Sequence, residues 1–483
     1  MRKALIPTGS FTLLMLFTAT VWTQNFPSDL KPCAATPSLL CGTFRVFEDR
    51  EKTAGRTIDL NIVVLPSVGE RKYAPMFDLQ GGPGVGATND VQLFLTGVPQ
   101  YRAGRDIVLV DQRGTGRSNP LQCVPLSEHT PLDEMYPVEY VRKCRKALEQ
   151  RADLTKYTTE IAMDDLDDVR RWLGYSKIDI WALSYGTRAA QVYVRQHGAN
   201  VAHIVLTGAI GTYHKMPFYH AANAQASLDL LLAECGRGPQ CHSAFPSIKK
   251  ETRELFHRLA QTPAKVDYRD PKTGSTTTYL IRGDVMGEQI RKGLYTRDTT
   301  QQIPFVIHKA AAGDFEPYLK RVISAGADSG SFIADGMYLS ITCAEDVPFI
   351  DVAAAHAANK DTIFGDYRVI QQRRACKDWP RAKISSNYRK PVESDVPAMF
   401  VTGAMDPVTA PRWADDLARG FKNHVMLTIA EQGHGPIGLS NIDCEDNLMI
   451  RFMSDLPIRD DDKACLTTMK PPPFLIAEPA TDR

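Results

Sequence analysis

The sequence predicts an α/β fold, built on a mostly parallel sheet and interrupted by a mainly helical insertion. Three observations support this prediction. In the first half of the chain, continuous apolar runs typical of buried parallel strands alternate with amphipathic helical segments. Between about residues 211 and 392 this alternation gives way to helical segments without clear buried strands. Two further apolar runs then restore the strand pattern, as expected of one sheet domain that carries a cap.

The predicted elements follow the order that a parallel sheet requires. Strands are predicted at Asp59–Pro66, Ala74–Gln80, Asp106–Asp111, Ile178–Leu183, Val201–Thr207, Ala398–Thr402 and Val425–Ala430. Helices are predicted at Thr159–Leu173, Thr187–Gln196, Ala221–Cys235 and Lys249–Gln261. The first of these helices places apolar residues near helical spacing and the aspartates Asp164, Asp165, Asp167 and Asp168 on its other face.

Composition narrows the functional classes. The chain has 483 residues, with 57 Lys and Arg against 56 Asp and Glu. A nucleic-acid-binding protein normally shows a basic surplus, so nucleic acid is not an expected partner. With 43% hydrophobic and 23% charged residues, the composition excludes whole-chain disorder. Nothing in the sequence sets the oligomeric state.

Residues 1–23 are predicted to be a signal peptide. A basic start, Met1-Arg2-Lys3, precedes an apolar run from Phe11 to Trp22. At about 12 residues this run is shorter than a membrane span and has the length of a signal-peptide core. Cleavage is expected after Thr23, and an uncleaved membrane anchor is the alternative. No later segment approaches about 18 continuous apolar residues, so no stable membrane insertion is expected after the signal is removed, and the location should be secreted or periplasmic.

The remaining boundaries follow the change in pattern. Residues 24–210 form the first part of the sheet domain, 211–392 the cap, 393–470 the second part of the sheet domain, and 471–483 a Pro-rich tail. Ten cysteines fit an oxidising compartment: Cys33, Cys41, Cys123, Cys144, Cys235, Cys241, Cys343, Cys376, Cys444 and Cys465. Their spacing does not match a zinc site, so no metal is expected. The simplest connectivity joins consecutive cysteines, although free thiols in a reducing cytoplasm are the alternative.

The strongest local signal for catalysis is Ser184, within residues 182–186 (ALSYG). It lies between a predicted buried strand and a predicted helix, where a nucleophile elbow is found. A serine nucleophile needs a base and an acid that orients the base, in the chain order serine, acid, histidine. Asp406 follows the strand Ala398–Thr402, and His434 follows the next strand. The three residues are therefore predicted to meet at the carboxyl edge of the sheet.

An acyl-transfer site also needs donors for the oxyanion of the tetrahedral intermediate. One expected donor is the backbone N–H of Tyr185, directly after the nucleophile. The other is expected from Gly81 and Gly82, because the missing side chains let the backbone approach the substrate. A plain turn is the alternative for residues 81–86 (GGPGVG). A phosphate-binding loop is excluded because no Gly-Lys-Ser/Thr closes the segment.

Three motifs together resemble the prolyl iminopeptidase branch of the α/β-hydrolases. They are residues 80–84 (QGGPG), 111–118 (DQRGTGRS) and 184–187 (SYGT). The closing segment resembles the C-terminal region of secreted tripeptidyl aminopeptidases at Asp406, His434, Cys444, Leu456-Pro457 and Cys465. The resemblance implies an α/β-hydrolase fold and a serine aminopeptidase that needs no cofactor. The chain departs from the pattern at Gln80, where the family usually carries His, and at Ala182, where it usually carries Gly.

The same resemblance implies substrates that are peptides with a free N-terminus. Their ammonium group requires an anionic receiver, because burying an unpaired charge is costly. Within the cap, residues 342–346 (TCAED) place Glu345 and Asp346 beside Cys343, which is expected to form a disulfide. We expect Glu345 to receive the amine, with Asp346 as second choice, and a surface acidic pair is the alternative. An esterase of small esters on the same three catalytic residues, and a hydrolase fold used only for binding, are the competing functions.

Overall fold

A computed structural model of the chain describes residues 26–124, 130, 132–270, 274–328 and 332–478. The predicted signal peptide, residues 1–23, lies outside the described residues, as do residues 479–483 of the Pro-rich tail. No helix in the described ranges is both long enough and apolar enough to cross a membrane.

Nine of the strands form one sheet. The strands are β1 (Lys31–Pro32), β2 (Leu40–Phe47), β3 (Thr57–Leu65), β4 (Met76–Leu79), β5 (Ile107–Val110), β6 (Ile178–Leu183), β7 (Val201–Thr207), β8 (Ala264–Arg269), β9 (Thr276–Ile281), β10 (Ala398–Gly403) and β11 (His424–Ile429). The sheet order is β1-β2-β3-β5-β4-β6-β7-β10-β11. From β5 to β11 all neighbours are parallel, and β1, β2 and β3 add an antiparallel edge. The predicted α/β-hydrolase sheet is confirmed.

The apolar runs in the sequence form central strands because both faces of the sheet are covered. In β5, Val108 and Val110 pack into the core on one face, and Ile107 and Leu109 pack into the core on the other. A strand buried on both sides gains from apolar residues at every position, which explains why these segments lack polar alternation. The parallel order also places the loops that follow β4, β6, β10 and β11 at one edge of the sheet.

Helices cover the sheet and build the cap. Those before β7 are α1 (Val138–Glu149), α2 (Thr159–Trp172) and α3 (Tyr185–His197). Those between β7 and β10 are α4 (His220–Arg237), α5 (Pro239–Ala244), α6 (Ile248–Gln261), α7 (Gly283–Gly293), α8 (Arg297–Thr300), α9 (Ile303–Ala311), α10 (Glu316–Asp328), α11 (Asp335–Glu345), α12 (Val352–Asn359) and α13 (Tyr367–Lys377). The last are α14 (Pro411–Ala418), α15 (Asp443–Phe452) and α16 (Asp460–Lys463).

The segment between β7 and β10 is mainly helical and contains an apolar core of its own. It also holds the hairpin β8–β9, which the sequence analysis did not predict. The hairpin strands are largely exposed, so they lack the continuous apolar run that marked the central strands. Helix α11 connects the cap to the sheet domain, because Met337, Leu339 and Ile341 pack into the core of that domain.

The acidic face predicted for α2 is wrong. Asp165 and Asp167 are buried, with exposures of 2% and 5%. Asp165 accepts two hydrogen bonds, at 2.6 and 2.9 Å, from the fully buried guanidinium of Arg113, which belongs to the motif at residues 111–118. Asp167 accepts bonds from Arg170 and Tyr193. Sequence periodicity does not reveal these partners, because they come from other elements of the fold or from the helix's own next turn.

Five disulfides join consecutive cysteines, as expected. They are Cys33–Cys41, Cys123–Cys144, Cys235–Cys241, Cys343–Cys376 and Cys444–Cys465. The Cys343–Cys376 bond ties α11, which packs on the sheet domain, to α13 of the cap. It therefore restrains the position of the cap over the sheet edge.

We predict that the Cys343–Cys376 bond contributes more stability than the Cys235–Cys241 bond. The two bonds close loops with sequence separations of 33 and 6 residues. Loop-closure entropy then favours the longer bond by about 1.5 kcal/mol. Thermal and urea unfolding of the Cys343→Ala/Cys376→Ala and Cys235→Ala/Cys241→Ala double variants, compared with the intact protein, measures this difference. Equal losses in the two variants would contradict the entropic explanation.

Candidate active site

Ser184 lies at a sharp turn between β6 and α3. Its backbone has φ 55° and ψ −120°, a conformation that non-glycine residues rarely adopt. The end of β7 stabilises the turn, because the Ser184 N–H donates to the Thr207 carbonyl at 2.9 Å. This geometry matches the nucleophile elbow predicted from the sequence. It raises the serine side chain above the carboxyl edge of the sheet.

The elbow requires a glycine two residues after Ser184. A Cβ on Gly186 would lie 1.9 Å from the Leu79 carbonyl oxygen, so α3 can cross β4 this closely only because the side chain is missing. Ala182, which replaces the usual first glycine, is fully buried in β6 and fits between β4 and β7. The departure at Ala182 therefore leaves the turn intact.

Asp406 and His434 meet as the sequence predicts. Asp406 follows β10 and His434 follows β11, and Nδ1 of His434 is 2.7 Å from Oδ2 of Asp406. The buried Asp406 carboxylate also accepts bonds from the Val408 and Thr409 N–H groups and from the Thr409 hydroxyl. These donors hold the carboxylate in place, so that it can orient the imidazole and stabilise its protonated form.

The histidine lies against the strand end that supports the serine. A Cβ on Gly208, the residue after Thr207, would be 3.2 Å from Cε1 of His434. In the described part of the chain, the ring hydrogen bonds of His434 go from Nδ1 to Asp406 and Thr409. Nε2 is thus the nitrogen left to accept the Ser184 proton. In enzymes that use such pairs, the serine–histidine bond is often long before substrate binds.

The glycine loop after β4 lies beside the nucleophile. A Cβ on Gly81 would be 3.1 Å from Ser184 Cβ, and Gly82 has φ 108°, which favours glycine. Gly82 and Tyr185 both line the cavity at Ser184. Tyr185 is the first residue of α3, so its N–H has no partner within the helix and is free to face an oxyanion.

Gln80 points away from this loop. Its side-chain amide donates to both oxygens of buried Asp78 at 3.1 Å, and also to Asp90. Burial raises the pKa of Asp78 well above its usual value and that of Asp90 to about 6, and the Gln80 amide opposes both shifts. Gln80, which stands where the family usually carries His, thus supplies N–H donors to two carboxylates near the loop.

The cap contacts both the glycine loop and the histidine loop. The Ala334 N–H donates to the Gly84 carbonyl at 3.0 Å, and the His434 N–H donates to the Tyr295 carbonyl at 2.8 Å. The Tyr295 ring also packs edge-on against the imidazole, with centroids 5.1 Å apart. Since Ala334 and Tyr295 belong to the cap, the cap helps to position two loops of the site.

Ser184 opens on a cavity of about 460 Å³ between the sheet domain and the cap. Residues of the sheet domain that line it include Ser184, Tyr185 and Arg188. The cap contributes His220, Arg291, Lys292, Tyr338, Asp346 and Arg368. The cap therefore limits what can reach the nucleophile.

The structure separates the two acidic residues at the end of α11. Glu345 is fully buried and is not part of the cavity wall. Its carboxyl accepts hydrogen bonds from the Thr159 N–H and hydroxyl, both at 2.8 Å, and from Tyr388. Our first choice for the amine receiver thus lies in the core, where these bonds join α2, α11 and the segment before β10.

Asp346, the second choice, does line the cavity. Its Oδ2 is 2.8 Å from Nη1 of buried Arg188, and its Oδ1 accepts the Met216 N–H at 3.0 Å. Each carboxylate oxygen can accept a further bond, so Asp346 can still receive an ammonium group. The Arg188 partner nevertheless offsets its charge.

Sequence reasoning missed three residues of the site: Thr409, Arg188 and His220. Thr409 bonds Asp406, Arg188 pairs with Asp346, and His220 lines the cavity with no partner on either ring nitrogen among the described residues. Thr409 lies three residues after the predicted acid, which was the only available signal. The roles of Arg188 and His220 depend on contacts between the cap and the sheet domain.

Two family models match the chain. The model described as alpha/beta hydrolase fold matches residues 79–234, and the model described as TAP-like protein matches residues 361–465. The tripeptidyl aminopeptidase of Streptomyces lividans is 23% identical over 461 residues, spanning 86% of this chain and 82% of that protein. The serine protease Hip1 of Mycobacterium tuberculosis (strain H37Rv) is 22% identical over 447 residues, spanning 83% and 84%.

A shorter match covers the first part of the sheet domain. The proline iminopeptidase of Neisseria gonorrhoeae is 28% identical over 140 residues, which span 29% of this chain and 34% of that protein. Fold and matches together define this chain as a hydrolase of the α/β-hydrolase fold. Within that fold, its matches are consistent with the branch that includes the proline iminopeptidases and tripeptidyl aminopeptidases.

We predict that Gly186→Ala disrupts the elbow. The new Cβ would collide with the Leu79 carbonyl oxygen, which cannot rotate away, so stability should fall by about 1–3 kcal/mol. Gly236→Ala in α4 is the matched control, because nothing lies within 4 Å of its Cβ position. This control should be neutral or stabilising by up to about 1 kcal/mol. Chemical denaturation measures both variants, and equal effects would refute the steric explanation.

We predict a pH-dependent stability difference between the wild type and Glu345→Gln. Burial raises the pKa of Glu345 to about 7 in the folded protein, although Tyr388 and Thr159 donate bonds that favour the charged form. Between the unfolded value of about 4.3 and pH 7, the folded state holds the additional proton. The wild-type free energy of unfolding should therefore fall, relative to the variant, as pH rises through this window. Urea unfolding between pH 4 and 8 tests this, and a constant difference would contradict it.

Proposed function

We propose that this protein is a serine aminopeptidase that releases residues or short peptides from the N-termini of its substrates through an acyl-enzyme at Ser184. The observation that carries the proposal is the joint placement of the elbow serine and the Asp406–His434 pair beneath a cap-covered cavity. The similarity to a tripeptidyl aminopeptidase over most of the chain supports the peptide substrate.

In the proposed reaction, Ser184 Oγ attacks the scissile carbonyl while Nε2 of His434 takes its proton. Asp406 stabilises the imidazolium that forms. The N–H groups of Tyr185 and the Gly81–Gly82 loop stabilise the oxyanion. His434 then donates the proton to the leaving amine, and water attacks the acyl-enzyme by the reverse sequence of proton transfers.

We assign the receiver of the substrate ammonium to Asp346. It is the one carboxylate among the described residues of the cavity wall. It also follows α11 of the cap and is bonded to Arg188, one turn along α3 from Ser184, where it can hold a chain end while the cap blocks longer extensions. Glu345 has its oxygens engaged in the core and acts there as a structural residue.

We propose that the protein acts outside the cytoplasm, in a secreted or periplasmic location. Five disulfides and no free cysteine among the described residues favour an oxidising compartment. The N-terminal segment with the features of a signal peptide points the same way.

We predict that a fluorophosphonate probe labels Ser184 and that the protein cleaves peptides with a free N-terminus in preference to their N-acetylated forms. Ser184→Ala should abolish labelling, and His434→Ala should lower turnover by several powers of ten. Mass spectrometry of the labelled protein and of the peptide products measures both. Equal cleavage of acetylated peptides would refute the aminopeptidase, and turnover of small neutral esters alone would favour an esterase.

We predict that Asp346→Asn raises KM for unblocked peptides strongly and leaves hydrolysis of a small neutral ester nearly unchanged. The substitution preserves shape and removes the negative charge that would meet the ammonium group. Glu345→Gln is the matched control at the neighbouring position and should leave KM unchanged for both substrates. Steady-state kinetics of the wild type and both variants with each of the two substrates test the assignment, and an effect from Glu345→Gln alone would reverse it.

A further inference from the structure

The cavity above Ser184 carries more positive than negative charge. Four cationic side chains line it: Arg188, Arg291, Lys292 and Arg368. Among the described residues, one carboxylate, Asp346, lines the same cavity, and a second, Glu288, lies behind its wall. The four cations of the cavity wall therefore outnumber the one carboxylate that the structure describes there.

Two separate clusters hold these charges. Arg188 pairs with Asp346 at 2.8 Å, which is a balanced pair. Glu288, by contrast, accepts hydrogen bonds from two guanidinium groups, at 2.8 and 2.9 Å from Arg291 and at 2.7 Å from Arg368. All three members of the second cluster are mostly buried. One buried carboxylate between two arginines leaves an uncompensated positive charge in this part of the cavity.

Lys292 adds a second positive charge. It follows Arg291 on α7, its side chain is exposed, and it lines the cavity. Desolvation in the cavity lowers the pKa of Lys292, whereas the charges of Glu288 and Asp335 oppose this shift. No carboxylate in the described ranges lies within salt-bridge distance of its ammonium group. An exposed ammonium group in a cavity that reaches the nucleophile is available to a ligand.

His220 lacks partners in the same cavity. Its side chain is buried at 6% exposure, and neither Nδ1 nor Nε2 has a hydrogen-bond partner in the part of the chain that the structure describes. Burial, together with the positive charges of Arg368 and Arg291, lowers the pKa of His220 well below its usual value. The ring is therefore neutral at pH 7 and carries one N–H donor. A buried donor without a partner is costly, and a polar group of a ligand would satisfy it.

We propose that this cation-rich side of the cavity binds a carboxylate of the substrate, with the Lys292 ammonium group and the His220 N–H as its direct partners. The inference deepens the proposed function, on which it rests, by naming the substrate class. Charged donors bind carboxylates more strongly than neutral ones. With Asp346 in the other cluster, the cavity is suited to a short peptide segment that carries both charges. The carboxylate belongs either to an acidic side chain or to the C-terminus of a short peptide.

Protection of Ser184 from a neutral fluorophosphonate probe tests the proposal without requiring peptide turnover. The first pair of competitors is Ala-Glu-Ala amide and Ala-Gln-Ala amide, which differ in the side-chain carboxylate. The second pair is Ala-Gln-Ala and its amide, which differ in the C-terminal carboxylate. In at least one pair, the carboxylate form should protect at a concentration about tenfold lower than its neutral counterpart. The pair that responds identifies the source of the carboxylate.

Variants connect this preference to the named residues. Lys292→Met should remove most of the preference for the carboxylate form. Lys292→Arg should retain this preference, because it keeps the positive charge. Lys249→Met, at an exposed position on α6 outside the cavity, is the matched control and should behave as wild type. His220→Phe keeps a ring without the N–H and should weaken protection by the carboxylate form alone.

The outcomes separate this inference from the proposed function. Equal protection by acid and neutral forms in both pairs, or a preference that survives Lys292→Met, would overturn the carboxylate site even if unblocked peptides are cleaved. Protection by the carboxylate form, with no cleavage of peptides, would support the site and refute the aminopeptidase. Loss of the preference in Lys249→Met as well as in Lys292→Met would also overturn it, because the effect would then not be local.

Discussion

The close crossing of α3 over β4 at Gly186 is the constraint on which the site depends. Because no side chain separates Gly186 from the Leu79 carbonyl, the chain can turn directly from β6 into α3 with Ser184 at a positive φ. That turn aims the N-terminus of α3 at the cavity and places Ser184 beside the glycine loop that follows β4. A wider crossing would separate the serine from the oxyanion donors of the Gly81–Gly82 loop.

The parallel sheet brings the remaining loops of the site together with Ser184. Since β4, β6, β10 and β11 run in one direction, the loops that carry the glycines, Ser184, Asp406 and His434 share one edge. The cap then holds two of these loops through main-chain bonds, from Ala334 to Gly84 and from His434 to Tyr295. A displacement of the cap would therefore alter the site itself as well as access to it.

Side-chain direction decides the roles of the two acidic neighbours at the end of α11, because both are almost fully buried. Glu345 faces the core, where three donated hydrogen bonds satisfy it and its pKa is raised to about 7. Asp346 faces the cavity and is compensated by Arg188. The two residues are adjacent in sequence and have the same chemistry, so only the direction of each side chain separates a structural role from one in the cavity.

The sequence by itself determined seven strands of the sheet, their order along the chain and the chain positions of the serine, acid and histidine, but not the antiparallel strands β1 and β2. The predicted strand Ile178–Leu183 and the predicted strand Val201–Thr207 match β6 and β7 residue for residue. Such predictions succeed because apolar runs report burial on both faces of a sheet, and because an elbow constrains the residues immediately around its serine. Consecutive disulfides were predictable for a similar reason, since they join segments close in the chain.

Only the tertiary structure decided the charge of the cavity and the partners of its polar groups. Arg113 and Asp165 are far apart in sequence but form a buried pair. Hydrophobic periodicity instead places Asp165 on the polar side of its helix. The cations of α7 and α13 likewise meet in the cavity only after the cap folds over the sheet domain. The electrostatic energy of such groups depends on distance and burial, and neither quantity is encoded in local sequence pattern.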